Sequence, residues 1–297
     1  MTIIRLFINC CYCLVFFLVF SACSRDLQVS QSRISTSKQL RLSAQEKALA
    51  DSFLLNGLDH EALYSILADL KPMSSMGSAF TFGIGKDSTD YDGQYQVVSL
   101  EKDSLQKVVQ SIESWNKITQ QLSFGNLRFV LVPFRRVWDG QRNFQLLVCR
   151  TDLIDQKLRE HATFFGQWGF VPGTDVATLI TAIEFEQKND RYRAYGYLFG
   201  YPAHAVDFFV EASRSEEKNQ EFVKRDFFQI PVYAGDKGYF TYAVPKGYQA
   251  SKVDSSIYHQ AKTVLENYRS LRKKYEKKSQ GFRANRLVLD YWRRRSR

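Results

Sequence analysis

His204, Asp207 and Glu211 recur at spacings of three and four within an otherwise apolar stretch, Tyr201 to Ala212. On a helix these positions share one stripe. An imidazole beside two carboxylates can ligate a divalent cation or move a proton. The same stripe would serve as a solvent face if Arg193 or Arg214 paired its acids. A second group, Asp59-His60-Glu61, opens an expected helix, with Asp59 placed as its cap. If folding brings His60 beside His204 and Asp207, the three form a metal site suited to assisted hydrolysis.

Other motifs fail at identifiable positions. Ser88 to Gly93 holds acids at Asp90 and Asp92 and a well-placed Gly, but Ser99 stands where a calcium loop needs a bidentate Glu. Gly83-Ile84-Gly85-Lys86 lacks the first Gly of a phosphate loop, where Phe80 stands, and Asp87 replaces its Ser or Thr. Cys149 and His161 would be a nucleophile and base, yet Cys149 lies in an apolar strand and reads as a small core residue. Arg135, Arg136, Trp138 and Arg142 gather near one hairpin tip. With Tyr192, Tyr195 and Tyr197 they would form a surface where rings stack and guanidinium forks bind carboxylates, or simply a charged hairpin end. No G-x-S-x-G, H-E-x-x-H or paired C-x-x-C occurs, and no cofactor is expected.

The elements that must position these groups can be read from periodicity and punctuation. Ser43 and Glu46 form a capping box that starts a helix ending near Asn56-Gly57. A second helix runs from Asp59 to Leu70 and stops at Pro72. Short strands are expected over Ala79 to Ile84 and Tyr95 to Leu100. Leu105, Val108, Val109, Ile112, Trp115, Thr119 and Leu122 mark the clearest amphipathic helix. Asp139-Gly140 joins two strands, Arg128 to Trp138 and Gln141 to Arg150, and Pro133 assigns the first to an edge or bulge. Helices are expected over Asp152 to Trp168 and Asp175 to Lys188, then a strand from Arg191 to Phe199. Pro202 opens the helix that carries His204. A second hairpin, Arg225 to Tyr233 with Tyr239 to Val244, precedes a helix from about Ser255 to Lys278. Strands and helices mix without βαβ alternation, so the expected fold is α+β. It should hold a mixed or antiparallel sheet with two hairpins, about five to seven helices and an amphipathic C-terminal helix.

The charge is uneven. The chain of 297 residues has a formal net charge of +10. From Arg269 to Arg297 twelve Lys and Arg face only Glu276 and Asp290, so this segment holds the whole excess. Its helix has an apolar face, while Arg272, Lys273 and Lys277 point outward, followed by Tyr291-Trp292-Arg293-Arg294-Arg295. The cations suit an anionic lipid or glycan surface, and Tyr291-Trp292 would sit at such an interface. Removing Gly281 to Arg297 is expected to leave the body folded.

The start of the chain is organised differently. Arg5 precedes an apolar run, Leu6 to Ala22, that closes on the small residues Ser21 and Ala22 before Cys23. This is the three-part pattern of a secretory signal. Its end, Leu18-Val19-Phe20-Ser21-Ala22-Cys23, resembles the lipobox of bacterial lipoproteins. That resemblance implies cleavage before Cys23, lipid on its sulfur, and residence in the cell envelope, with Ser24 favouring the outer membrane. An uncleaved anchor is the alternative, the run falling just under the roughly 18 residues needed to span. Residues 1–22 are thus read as the signal, 23–42 as a tether, 43–254 as the globular body and 255–297 as a basic helical segment. After cleavage Cys149 has no cysteine partner outside Cys23, so the core alone must hold the domain. The first expectation is a membrane-anchored, non-catalytic protein that binds a ligand or partner, with no nucleic acid expected in that compartment. A metal-assisted hydrolase is the alternative.

Overall fold

The computed structural model describes residues 42–83, 102–277 and 281–295. Cys23 and its tether, the Asp-rich loop, the phosphate-like turn beyond Gly83 and the strand expected at 95–100 lie outside the described residues. The fold is α+β. Its centre is a three-stranded antiparallel sheet of β1 (Met73–Gly83), β2 (Leu127–Trp138) and β3 (Gln141–Arg150), in the order β1-β3-β2. Asp139 and Gly140 turn the β2–β3 hairpin with φ of 49° and 68°, the double left-handed geometry that this pair of residues favours. β2 is an edge strand, and its register with β3 breaks between Pro133 and Val137. The missing N–H of Pro133 is accommodated there.

β3 is buried on both faces, and alternation sends its side chains to two cores. Leu146 and Val148 join a larger core with Phe129 of β2. Leu147 and Cys149 join a smaller one with Val130 and Val132. Helices α4 (Thr151–Glu160), α5 (Ala162–Phe165), α6 (Val176–Glu184) and α7 (Lys188–Leu198) supply the rest of the smaller core. The larger one is closed by α1 (Ala44–Asp59), α2 (Leu63–Ile66), α3 (Lys102–Gln121) and the hairpin β4 (Arg225–Val232) with β5 (Gly235–Pro245). The C-terminal helices complete it: α9 (Lys252–Tyr275) and α10 (Ala284–Arg295), joined through the two-residue strands β6 (Glu276–Lys277) and β7 (Gly281–Phe282). Helix α8 (Ala203–Asn219) packs between α7 and β5. Among the described residues no helix is long and apolar enough to cross a membrane.

Several expectations need correction. Ten helices are described where about five to seven were expected: the single helix expected over Asp152 to Trp168 divides into α4 and α5, α7 was expected as a strand, and α10 was not expected as a separate helix. Asp59 is the last residue of α1 rather than the cap of the next helix. Arg191 to Phe199 belongs to α7 and its cap, not to a strand. Its alternating tyrosines imitate a two-residue period, but Ala194 and Leu198 are the buried pair, at helical spacing. Gly196 fixes the choice: a Cβ there would lie 2.7 Å from Val206 Cγ2, so α7 and α8 meet backbone to side chain at this point.

The largest correction concerns the C-terminus. Leu287, Val288 and Trp292 of α10 are buried in the larger core. The Trp292 indole N–H donates to the Ile66 carbonyl at 3.1 Å, and the Tyr291 hydroxyl donates to that of Leu67 at 2.8 Å. Gly125 (φ 51°) lets the Trp292 ring approach to 3.2 Å from where a side chain would begin. Tyr291-Trp292 is thus a core anchor, not an interfacial belt. Residues 255–297 are not appended to a finished body, and cutting at Gly281 would unroof the core.

Candidate functional site

His204 sits in the first turn of α8, which Pro202 opens with φ −65° and no N–H to satisfy. Its ring turns toward α9 rather than along its own helix. Nε2 lies 3.2 Å from Asp254 Oδ1 and 3.1 Å from the Tyr248 hydroxyl. That hydroxyl donates its own proton to Asp254 Oδ2 at 2.7 Å, so it can only accept from His204. Nε2 therefore carries the imidazole hydrogen. Asp254 is fully buried and also accepts from the Tyr242 hydroxyl at 2.5 Å and the Ser251 N–H at 2.7 Å. Burial pushes its carboxyl up, but the hydrogen bonds from Tyr242, Tyr248 and Ser251 outweigh this and hold it at about 2.

Sequence reasoning found His204 and missed its carboxylate. Ser251 and Asp254 form a capping box that opens α9, with the Asp254 N–H donating to Ser251 Oγ at 3.3 Å. That Ser-x-x-Asp spacing was the available signal. The partners from β5 and the following turn had none.

The other members of the stripe go elsewhere. Asp207 accepts from Arg193 of α7 at 2.5 Å, and Glu211 is exposed. His60 caps the end of α1, its Nδ1–H donating to the Asn56 carbonyl at 2.7 Å, with its ring 4.7 Å from that of Tyr239. Glu61 is drawn inward to the buried Lys71, whose ammonium also lies 4.2 Å from the Phe240 ring centre. Desolvation pushes the Lys71 amine down, against the pull of Glu61. Among the described residues no group of three His, Cys, Asp or Glu is placed to hold a metal ion. Cys149 is buried, and desolvation pushes its thiol up, away from the nucleophilic thiolate.

The aromatic-cationic surface expected at the hairpin tip shrinks to one pair. Arg136 lies over the Trp138 ring at 4.5 Å, and Trp138 is 63% exposed. Arg135 instead reaches the turn after α6, donating to the Glu186 carbonyl at 2.8 Å, and Arg142 donates to the Phe134 carbonyl at 3.4 Å. The tyrosines of α7 also point inward. Tyr195 donates to Glu184 at 2.7 Å, and Tyr197 stacks on His161 with ring centres 3.6 Å apart.

The cations nominated for an anionic surface divide into two sets. Arg272 does not face outward as expected. It pairs with Asp59, donates to the Tyr268 hydroxyl at 2.9 Å and lies over Tyr233 at 4.4 Å. Arg295 grips both oxygens of Asp69, at 2.8 and 2.6 Å, and Asp69 also pairs with the buried Arg150. Both are inward ties. Lys273, Arg293 and Arg294 are exposed, and Lys277 belongs to β6.

Between α9 and α10 two hollows of 320 and 410 Å³ meet at Leu271 and Tyr291. Leu287 and Tyr275 continue the apolar lining toward one end, where Arg294 and Arg295 stand; Val264 and Leu67 continue it toward the other. No acidic residue lines either hollow.

No family model matches the chain, and neither a curated protein nor a solved structure matches it.

Proposed function

We propose that this chain is an exported lipoprotein, anchored to the cell envelope through Cys23, whose domain binds a ligand or partner rather than transforming it. The leader supports the anchor, and Ser24 favours the outer membrane where a cell has one. The observation that carries the binding reading is the division among charged groups. The acids and histidines that spacing nominated for chemistry are dispersed, and most serve as ties between elements: His204 to Asp254, Asp207 to Arg193, Asp59 to Arg272. Lys273, Arg293 and Arg294 remain exposed on the last two helices. They are among the cations available to an anionic lipid or glycan surface, each contributing roughly 1 kcal/mol near a charged bilayer.

Two measurements test this reading. Expressed in a bacterial host fed a palmitate analogue, the wild-type chain should take up label and partition into detergent, and Cys23→Ala should do neither. Equal labelling of the variant would remove the anchor. Separately, the non-acylated full chain should bind vesicles rich in phosphatidylglycerol, and Lys273→Glu/Arg293→Glu should release it. Indifference of binding to those substitutions would remove the cationic face.

A further inference from the structure

The hollow between α9 and α10 combines an apolar floor with two arginines at one end, where Asp290 stands behind the lining and accepts from Tyr275 at 3.1 Å. Leu271, Leu287 and Tyr291 form the floor, and Arg294 and Arg295 close the end beside Tyr275. The two arginines are not equivalent. Arg295 is held bidentately by Asp69, whereas Arg294 makes no hydrogen bond or ion pair among the described residues. An occupant that matches this pattern is apolar along its length and negative at one end.

Volume argues for a single chain of atoms. From Val264 to Tyr275 the floor of the groove rises about 16 Å along α9. A partner helix about 10–12 Å across would displace on the order of 1,500 Å³ over that length. The hollows offer 320 and 410 Å³, a size at which small-molecule sites begin. A docked helix would enter the hollows only with the side chains of one face.

We infer that the α9–α10 groove binds a monomeric fatty acid, with its acyl chain along the floor and its carboxylate on Arg294. This rests on the binding reading above and names its ligand class. The groove would extract or hold one chain, while Lys273 and Arg293 face the surface that supplies it.

The test uses the full chain carrying Cys23→Ala, so that no covalent acyl group competes, with cis-parinaric acid below its micelle concentration as the fluorescent probe. Its methyl ester is the neutral control. The acid should bind about tenfold tighter than the ester, as one charge-assisted hydrogen bond predicts. Arg294→Glu should erase that preference and leave the ester unchanged. Leu271→Trp, which fills the junction of the two hollows, should abolish both. Val264→Trp narrows the far end and replaces it if the first variant unfolds. Undiminished binding in a folded filling variant overturns the inference, as does equal affinity for acid and ester. So does a groove that takes an acidic amphipathic peptide but no monomeric acid. Lys273→Glu/Arg293→Glu separates the two proposals. Should that variant keep vesicle binding while Leu271→Trp loses the acid, the cationic-face reading fails and the groove stands.

Discussion

Two aspartates fasten α9, one at each end, and they are held in opposite ways. Asp254 opens the helix fully buried, among the neutral donors Tyr242, Tyr248 and Ser251, with His204 alongside. Asp59 meets the later part of the helix with a full positive charge, Arg272, and one hydroxyl, Tyr268, which donates to it at 2.8 Å. The outcome reverses simple expectation. Burial pushes the Asp59 carboxyl up, and neither Tyr268 nor Arg272 compensates fully, so it stays raised. Burial pushes Asp254 up as well, and it is nevertheless driven down to about 2. Several short, well-aimed hydrogen bonds can hold a buried carboxylate ionised more firmly than a single ion pair. Part of the Arg272 charge is also directed at the Tyr268 oxygen and the Tyr233 ring.

Removing the stronger acceptor, Asp254, has the largest expected effect. Asp254→Ala would strand the Tyr242 hydroxyl in the core and free Tyr248 and the Ser251 N–H. An expected cost of about 3–5 kcal/mol follows from losing a buried charged acceptor with its donors in place. Urea unfolding measures it, and a cost below that of Asp59→Ala would invert the ranking. The second effect is in pH. With a folded value of about 2 against an ordinary 3.8, Asp254 contributes stability that is complete above about pH 4. That contribution is lost as pH falls toward 2. Its size is about 2–3 kcal/mol, and Asp254→Asn should flatten this part of the acid limb.

Asp59 should behave with the opposite sign and a smaller size. A carboxyl raised in the fold binds its proton more tightly than in the unfolded chain. Its contribution therefore falls as pH climbs through the carboxylate range and is recovered in acid. Asp59→Asn keeps an oxygen for Tyr268 and Arg272 and removes the charge that burial penalises. At neutral pH it should cost under about 1 kcal/mol, less than Asp254→Asn in the same urea series.

The sequence showed one of these knots in part and the other wrongly, and the reason is distance. Local chemistry was legible: the Ser43–Glu46 box forms as expected, with the Ser43 N–H on Glu46 at 2.7 Å, and so do the Asp139-Gly140 turn and the edge position of Pro133. Each is specified within a few residues. Asp254 could be found the same way, as the closing member of a capping box. That it would collect His204 from α8 and Tyr242 from β5 depends on how three elements pack, which no spacing encodes. Asp59 was misread because the cap rule is also local, while its true partners lie far along the chain on α9. Trp292 failed similarly: aromatic-basic neighbours suggest an interface, but the acceptor that buries it is the Ile66 carbonyl. The apolar groove was invisible because the expected helix stopped near Lys278 and no packed helix was expected at Ala284–Arg295.

The finest test of the comparison deletes a single oxygen. Tyr248→Phe removes one of the neutral donors to Asp254 and leaves Tyr242, Ser251 and His204 in place. The expected loss is about 0.5–1 kcal/mol at neutral pH, that of one hydrogen bond at a partly exposed position. Its diagnostic feature is the acid limb, which should move upward in pH because one of the bonds depressing Asp254 is gone. His204 Nε2–H then has only the carboxylate to meet, at 3.2 Å. If the limb stays where it is, the hydrogen bonds do not share the work of holding Asp254 ionised. In that case the low value belongs to Tyr242 and the capping box alone, and the contrast with Asp59 narrows to one hydroxyl against one guanidinium.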